Sequence, residues 1–154
     1  MLIPLDGSAL AESILEPVLA LWDSGRTEYT LLQIVQPTAE LNYGPAGGSI
    51  TGFQESLDQL RALEQQELKR AHEYLEPLAA RLRARLFAVH TRAAAGERPA
   101  NGILDDATLH GADLIALATR GRGGLKRLVL GSTADKVLRG ADTPVLTYRP
   151  AAVS

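Results

Sequence analysis

The run Asp113-Leu114-Ile115-Ala116-Leu117-Ala118 constrains the fold of this chain more than any other segment. Its apolar residues follow one another without alternation, which is how a strand reads when both faces of its sheet are covered. Four more short apolar runs read as strands: Met1 to Leu5, Glu28 to Gln36 centred on Thr30-Leu31-Leu32-Gln33-Ile34-Val35, Leu86 to Thr91, and Pro144 to Tyr148. Helical spacing fills the intervals. Leu10, Ile14, Val18 and Leu21 mark one face of the first helix; Leu57, Leu60, Leu63, Ala71, Leu75, Leu78 and Leu82 mark a longer one between Phe53 and about Arg85. Ile103, Leu104 and Ala107 point inward from a helix over Pro99 to about His110, and a last helix runs from Ser132 to about Arg139. Strands that alternate with helices imply a parallel sheet covered on both faces. Right-handed crossovers then leave only a few doubly wound strand orders, a Rossmann-like α/β fold.

Local signals refine the elements. Ser8 is placed to cap the first helix, and Pro17 and Pro77 lie inside helical patterns that they should kink or shorten. Pro99 suits the first turn of a helix. Residues 37–52 hold four glycines and two prolines, a composition that predicts a mobile loop. There is no internal repeat and no other shift in composition, so residues 1–154 are expected to form one domain.

Charge and composition exclude several functions. Sixteen Lys and Arg against eighteen Asp and Glu give a formal net charge of −2, which argues against a polymeric nucleic acid as partner. The chain contains no Cys, so disulfides, thiolate metal sites and a Cys nucleophile are absent, and a reducing cytoplasm is the expected location. No apolar run reaches the roughly eighteen residues of a membrane span. No secretory leader is expected, because Asp6 interrupts the opening apolar run. His72, His90 and His110 fit no metal-ligand spacing, and no nucleophile–base order or carboxylate pair marks a catalytic centre.

The stretch from Ala118 to Thr133 carries the chemistry. It leaves the carboxyl end of a buried strand, where open α/β sheets bind ligands. Arg120, Arg122, Lys126 and Arg127 cluster within eight positions, and no acidic residue falls between Asp113 and Asp135. Gly131-Ser132 opens a helix, and Ser132-x-x-Asp135 has the form of a capping box. Free N–H groups and the positive end of the helix dipole favour an anion there, and glycine lets the backbone come close to it. A phosphate cradle is one reading; a turn with an N-cap and solvated basic side chains is the other. Neither a Walker A loop nor a complete G-x-G-x-x-G is present.

The chain resembles the universal stress protein family over nearly its whole length. Ile3-Pro4-Leu5-Asp6-Gly7-Ser8 is similar to the family's first strand and turn, and Leu31-Leu32-Gln33-Ile34-Val35 to its second strand, with Gln33 where His is common. Ala118-Thr119-Arg120-Gly121 through Gly131-Ser132 resembles the signature G-x2-G-x9-G-[ST] of the ATP-binding branch, and Pro144-Val145-Leu146 resembles the closing strand. Ala118 replaces the first signature glycine, which costs roughly 1 kcal/mol if that position needs a positive φ and little if it is extended.

The resemblance implies an open five-stranded parallel sheet of order 3-2-1-4-5 with ATP, and Mg²⁺ with it, at the divergence of strands 1 and 4. Asp6 would meet the nucleoside beside Pro4 and Leu5, and the Ile34 backbone would meet the adenine edge. Leu117, Ala118, Arg120 and Gly121, with Gly124 in the same loop, would line the ribose and phosphate path. Gly131, Ser132 and Thr133 would hold the phosphates. It also implies a homodimer through the terminal strand and a nucleotide-gated regulator of the stress response. ATP would order residues 37–52 and 120–130 and present them to a protein partner. A dimeric interaction module without nucleotide and a slow ATPase are the alternatives; no catalytic residue is assigned.

Overall fold

The structure is a computed structural model that describes residues 1–22, 25–36, 50–119 and 131–150. Five parallel strands, β1 (Leu2–Pro4), β2 (Glu28–Val35), β3 (Ala88–Ala95), β4 (Ile115–Ala118) and β5 (Val145–Tyr148), form one sheet of order β3-β2-β1-β4-β5. The helices are α1 (Ala9–Glu12), α2 (Leu15–Leu21), α3 (Ile50–Arg83), α4 (Pro99–Leu109) and α5 (Ser132–Gly140). The expected strand order is the observed one.

Strand alternation builds two cores. Ile3, Leu31 and Ala116 face a cluster completed by Ile14, the residue before α2, with Val18 of α2 and Leu75 and Leu78 of α3. Their neighbours Leu2, Leu32, Ile115 and Leu117 face the opposite cluster, with Ala100, Ile103, Ala134 and Val137 from α4 and α5. The unbroken apolar runs of β1 and β4, and the Leu31-Leu32 pair of β2, follow from this two-sided burial. The first two crossovers lie on one face and the last two on the other, so the chain reverses direction beside β1. The crevice between β1 and β4 is the topological switch point.

Proline sets the break in the first helical region. Pro17 has no N–H, and its ring would collide with the carbonyl of Ser13 in a continuous helix. The helix is instead split at Ser13–Ile14, and Pro17 falls in the first turn of α2. The break resets the helical phase. Leu15 and Leu19 are buried with Val18, while Leu21, expected inward, is 67% exposed. Pro77, by contrast, lies inside α3, which continues through it.

Helix α3 begins at Ile50, so the last residues of the expected loop, 50–52, are helical; residues 37–49 lie outside the described residues. Its 34 residues span roughly 50 Å, whereas the eight residues of β2 and β3 span roughly 26 Å. The helix overshoots the sheet, and Leu63 is exposed although it continues the apolar stripe. At the other end, the Phe87 N–H donates to the Leu82 carbonyl and the Leu86 N–H to that of Arg83, a Schellman ending.

Leu86 occupies the left-handed position of that motif at φ 68°, and it is 85% exposed. A Leu there carries Cβ strain and little packing. Leu86→Gly should therefore stabilise the fold by about 1 kcal/mol, seen as a melting-temperature rise of about 2–4 °C.

Candidate functional site

Every strand that feeds the crevice ends at the same edge of the sheet, and the helices that follow start there. Pro4, Leu5 and Asp6 from the end of β1, Ile34 from β2, Leu117 and Ala118 from β4, and Thr133 from α5 line one cavity of about 400 Å³. That volume is in the range of small-molecule sites, about 300–1,000 Å³. These seven are sequence-predicted residues brought together by the fold. Ala11, Gln33, Gln36, Pro99, Ile103 and Ala134 complete most of the wall. Gln33, Gln36, Pro99 and Ile103 come from β2, its end and α4, which carry no glycine signature. The available signal was topological: a helix that follows a parallel strand opens at the ligand edge, which would have marked Pro99.

Asp6 organises the turn after β1. Its Oδ1 accepts from the Ser8 N–H at 3.0 Å and the Ser8 hydroxyl at 2.6 Å. The same hydroxyl accepts from the Ala11 N–H at 3.1 Å and so caps α1, as expected. The turn and the cavity therefore share Asp6, one carboxylate oxygen fixing the loop. Tyr74 of α3 stands behind this turn and donates to Glu12 Oε1 at 3.1 Å. Burial, then the neighbouring Glu12 carboxylate, pushes the Tyr74 phenol well above its usual range, so it stays a donor.

The entrance to α5 differs from the expectation. Gly131, at φ 79° and ψ 146°, is the N-cap, and Ser132 is the first helical residue. Gly131 has no side chain with which to cap this turn, so the Ser132–Asp135 capping box is not formed. A serine can cap only from the extended residue before the helix, and that place is taken by Gly131 in a backbone region that is essentially glycine-only. The amides of Ser132 and Thr133 have no partner among the described residues. Ser132 and Thr133 line a neighbouring cavity of about 280 Å³ together with Arg98 and Lys136. Thr133 and Pro99 border both cavities. Gly131 lines neither. Arg120, Gly121 and Gly124 lie outside the described residues.

Ala118 is an extended residue of β4, with no positive φ. Its replacement of glycine therefore introduces no backbone strain there. Close packing fixes the β2 wall. A Cβ on Gly102 of α4 would lie 2.9 Å from Ile34 Cδ1, so the absence of a side chain at Gly102 sets how near α4 sits to Ile34.

A larger cavity, about 530 Å³, opens at the amino ends of the strands beside Trp22, Arg92, Asp106 and His110. Its buried charge is already matched, with Arg92 Nη1 2.5 Å from Asp106 Oδ1. It receives no strand carboxyl end, and the crevice at the switch point is the better site despite its smaller volume.

A parallel sheet of this order, with a crevice lined from β1, β2, β4 and two helix N-termini, defines the class of doubly wound α/β proteins. The model of the universal stress protein family matches residues 1–149, and the chain belongs to that family. It is 28% identical over 153 residues to the universal stress protein YxiE of Bacillus subtilis, covering 97% of each chain. A local match to a universal stress protein of Methanocaldococcus jannaschii is 43% identical over 61 residues, 40% of this chain and 35% of that protein.

Among solved structures, the universal stress protein UspA of Lactobacillus plantarum shares the fold at a TM-score of 0.68 and 23% identity, over 96% of this chain and 95% of that one. A universal stress protein in complex with cAMP is similar at TM-score 0.53 and 16% identity, over 96% and 94% of the two chains. An Arabidopsis thaliana family member with AMP bound is similar at 0.50 and 15%, over 98% and 91%.

Proposed function

We propose that the protein binds ATP in the crevice between β1 and β4 and acts as a nucleotide-responsive regulatory protein of the stress response. The observation that carries this reading is the convergence of Pro4, Leu5, Asp6, Ile34, Leu117, Ala118 and Thr133 on one cavity beside the uncapped amino end of α5. The base would lie against the end of β2 and the ribose near Asp6. The phosphates would run toward the amides of Ser132 and Thr133, where the helix dipole favours negative charge. Arg98 and Lys136 add positive charge beside that end.

The cAMP and AMP bound by similar proteins are consistent with an adenine nucleotide as the ligand class. Among the described residues there is no group of three or more His, Cys, Asp or Glu side chains able to hold a metal. Mg²⁺ would therefore arrive with the nucleotide, held by phosphate oxygens and water. A second copy would pair along the outer edge of β5, which has β4 on one side and, among the described residues, no strand on the other. The reading is one of binding and signalling in the cytoplasm, with no catalytic step assigned.

The experiment is thermal melting with and without Mg-ATP. At a hundredfold excess over Kd the ligand should stabilise the protein by about 2.7 kcal/mol. An unchanged melting temperature at millimolar Mg-ATP favours the alternative, a dimeric interaction module without nucleotide.

A further inference from the structure

Two cations beside the crevice have no partner within the fold. Arg98 is the extended residue that opens α4, Lys136 belongs to α5, and both line the cavity of about 280 Å³. Both are exposed, and neither joins an ion pair or a side-chain hydrogen bond among the described residues. The acidic neighbour Asp135 is turned away, its Oδ2 accepting from Arg139 Nε at 2.9 Å. Glu97 is the one carboxylate among the described residues of the wall, so cations outnumber it two to one. Gln36 holds the Arg98 turn in place, its Nε2 donating to the Glu97 carbonyl at 2.6 Å. Gln36, Pro99 and Thr133 border both this cavity and the switch-point crevice, so the two adjoin. The smaller cavity lies just under the range of a whole small-molecule site, about 300–1,000 Å³. It suits one end of a ligand whose other end occupies the crevice.

We propose that Arg98 and Lys136 read the length of the phosphate chain, attracting the β- and γ-phosphates of a nucleoside triphosphate and so favouring it over the monophosphate. The inference rests on the nucleotide-binding reading and adds to it a preference among nucleotides. With the α-phosphate at the amides of Ser132 and Thr133, the next two phosphates have this cavity beside them, and a monophosphate ends before it. The guanidinium offers paired donors matched to phosphate oxygens, and the ammonium is a compact charge on a flexible stem. Exposed ion pairs are each worth at most about fivefold, so two of them set the preference at about tenfold.

The test is titration calorimetry with Mg-ATP and with AMP, on the wild-type protein and on the double variant Arg98→Gln with Lys136→Gln. Wild type should bind Mg-ATP about tenfold more tightly than AMP. The double variant should bind the two within about twofold, the loss falling on Mg-ATP, and each single variant should lower the preference about threefold. Both positions are exposed, so the melting temperature of the variants should match that of the wild type. Equal binding of the two nucleotides by wild type overturns the inference without any variant. So does a preference that the double variant keeps in full, or an equal loss for both nucleotides. In each of these cases nucleotide binding itself stands. Binding of neither nucleotide to the wild type removes both the inference and the reading beneath it.

Discussion

Thr133→Glu should lower the affinity for ATP about a hundredfold while leaving the melting temperature unchanged or slightly raised. Thr133 is the second residue of α5 and borders both cavities at the ligand edge. A carboxylate placed there stands roughly 5 Å from the proposed phosphates, and at an effective dielectric near 20 the repulsion is about 3 kcal/mol. The same charge is favourable for the helix, because an acidic residue in the first turn complements the dipole by about 0.3–1 kcal/mol. Binding and stability are thus expected to move in opposite directions, which no loss of folding imitates. Thr133→Gln, uncharged and of similar size, should lose far less affinity. Equal losses for the two variants would mean that bulk acts there and not charge. No loss for either would place the phosphates elsewhere.

The largest effect on stability is expected from Arg92→Leu, a loss of about 3 kcal/mol and of about 6–12 °C in melting temperature. Arg92 of β3 pairs with Asp106 of α4 at 2.5 Å, and the aspartate is 7% exposed against 29% for the arginine. Removing the arginine leaves a buried carboxylate whose one remaining ion-pair partner among the described residues is His110 Nε2, 3.8 Å away. Replacing both residues, Arg92→Leu with Asp106→Leu, should recover most of the loss, because the buried charge goes with its partner. Urea unfolding of the two variants measures this. A loss below about 1 kcal/mol for Arg92→Leu would show a pair that behaves like an exposed one. The pair also matters for the site, since it fastens the helix that carries Pro99 and Ile103 to the cavity wall.

The apolar run at β4 and the strand–helix alternation made the parallel sheet legible, because two-sided burial leaves little room for polar residues; the strand order followed only from the resemblance to the family. Boundaries were less legible. Ala93, Ala94 and Ala95 have weak strand propensity, yet pairing with Gln33, Ile34 and Val35 extends β3 through them. The stripe at Leu57, Leu60 and Leu63 has core spacing, but nothing in it says that the sheet is shorter than the helix. Ser132 fitted a capping pattern that Gly131 displaced by one residue, since the pattern does not record backbone angles. In the site, the residues of the first turn and of β4 could be placed from their motifs. Gln33, Gln36 and Pro99 could not, because the fold alone brings β2 and α4 to the same edge.

The direct measurement is a crystal structure of the protein with Mg-ATP. The account predicts nucleotide density in the crevice between β1 and β4, with the base against Gln33 and Ile34, the ribose near Asp6 and the phosphates at the amides of Ser132 and Thr133. Density in the cavity beside Arg92 and His110, or a crevice without nucleotide at saturating Mg-ATP, would contradict it.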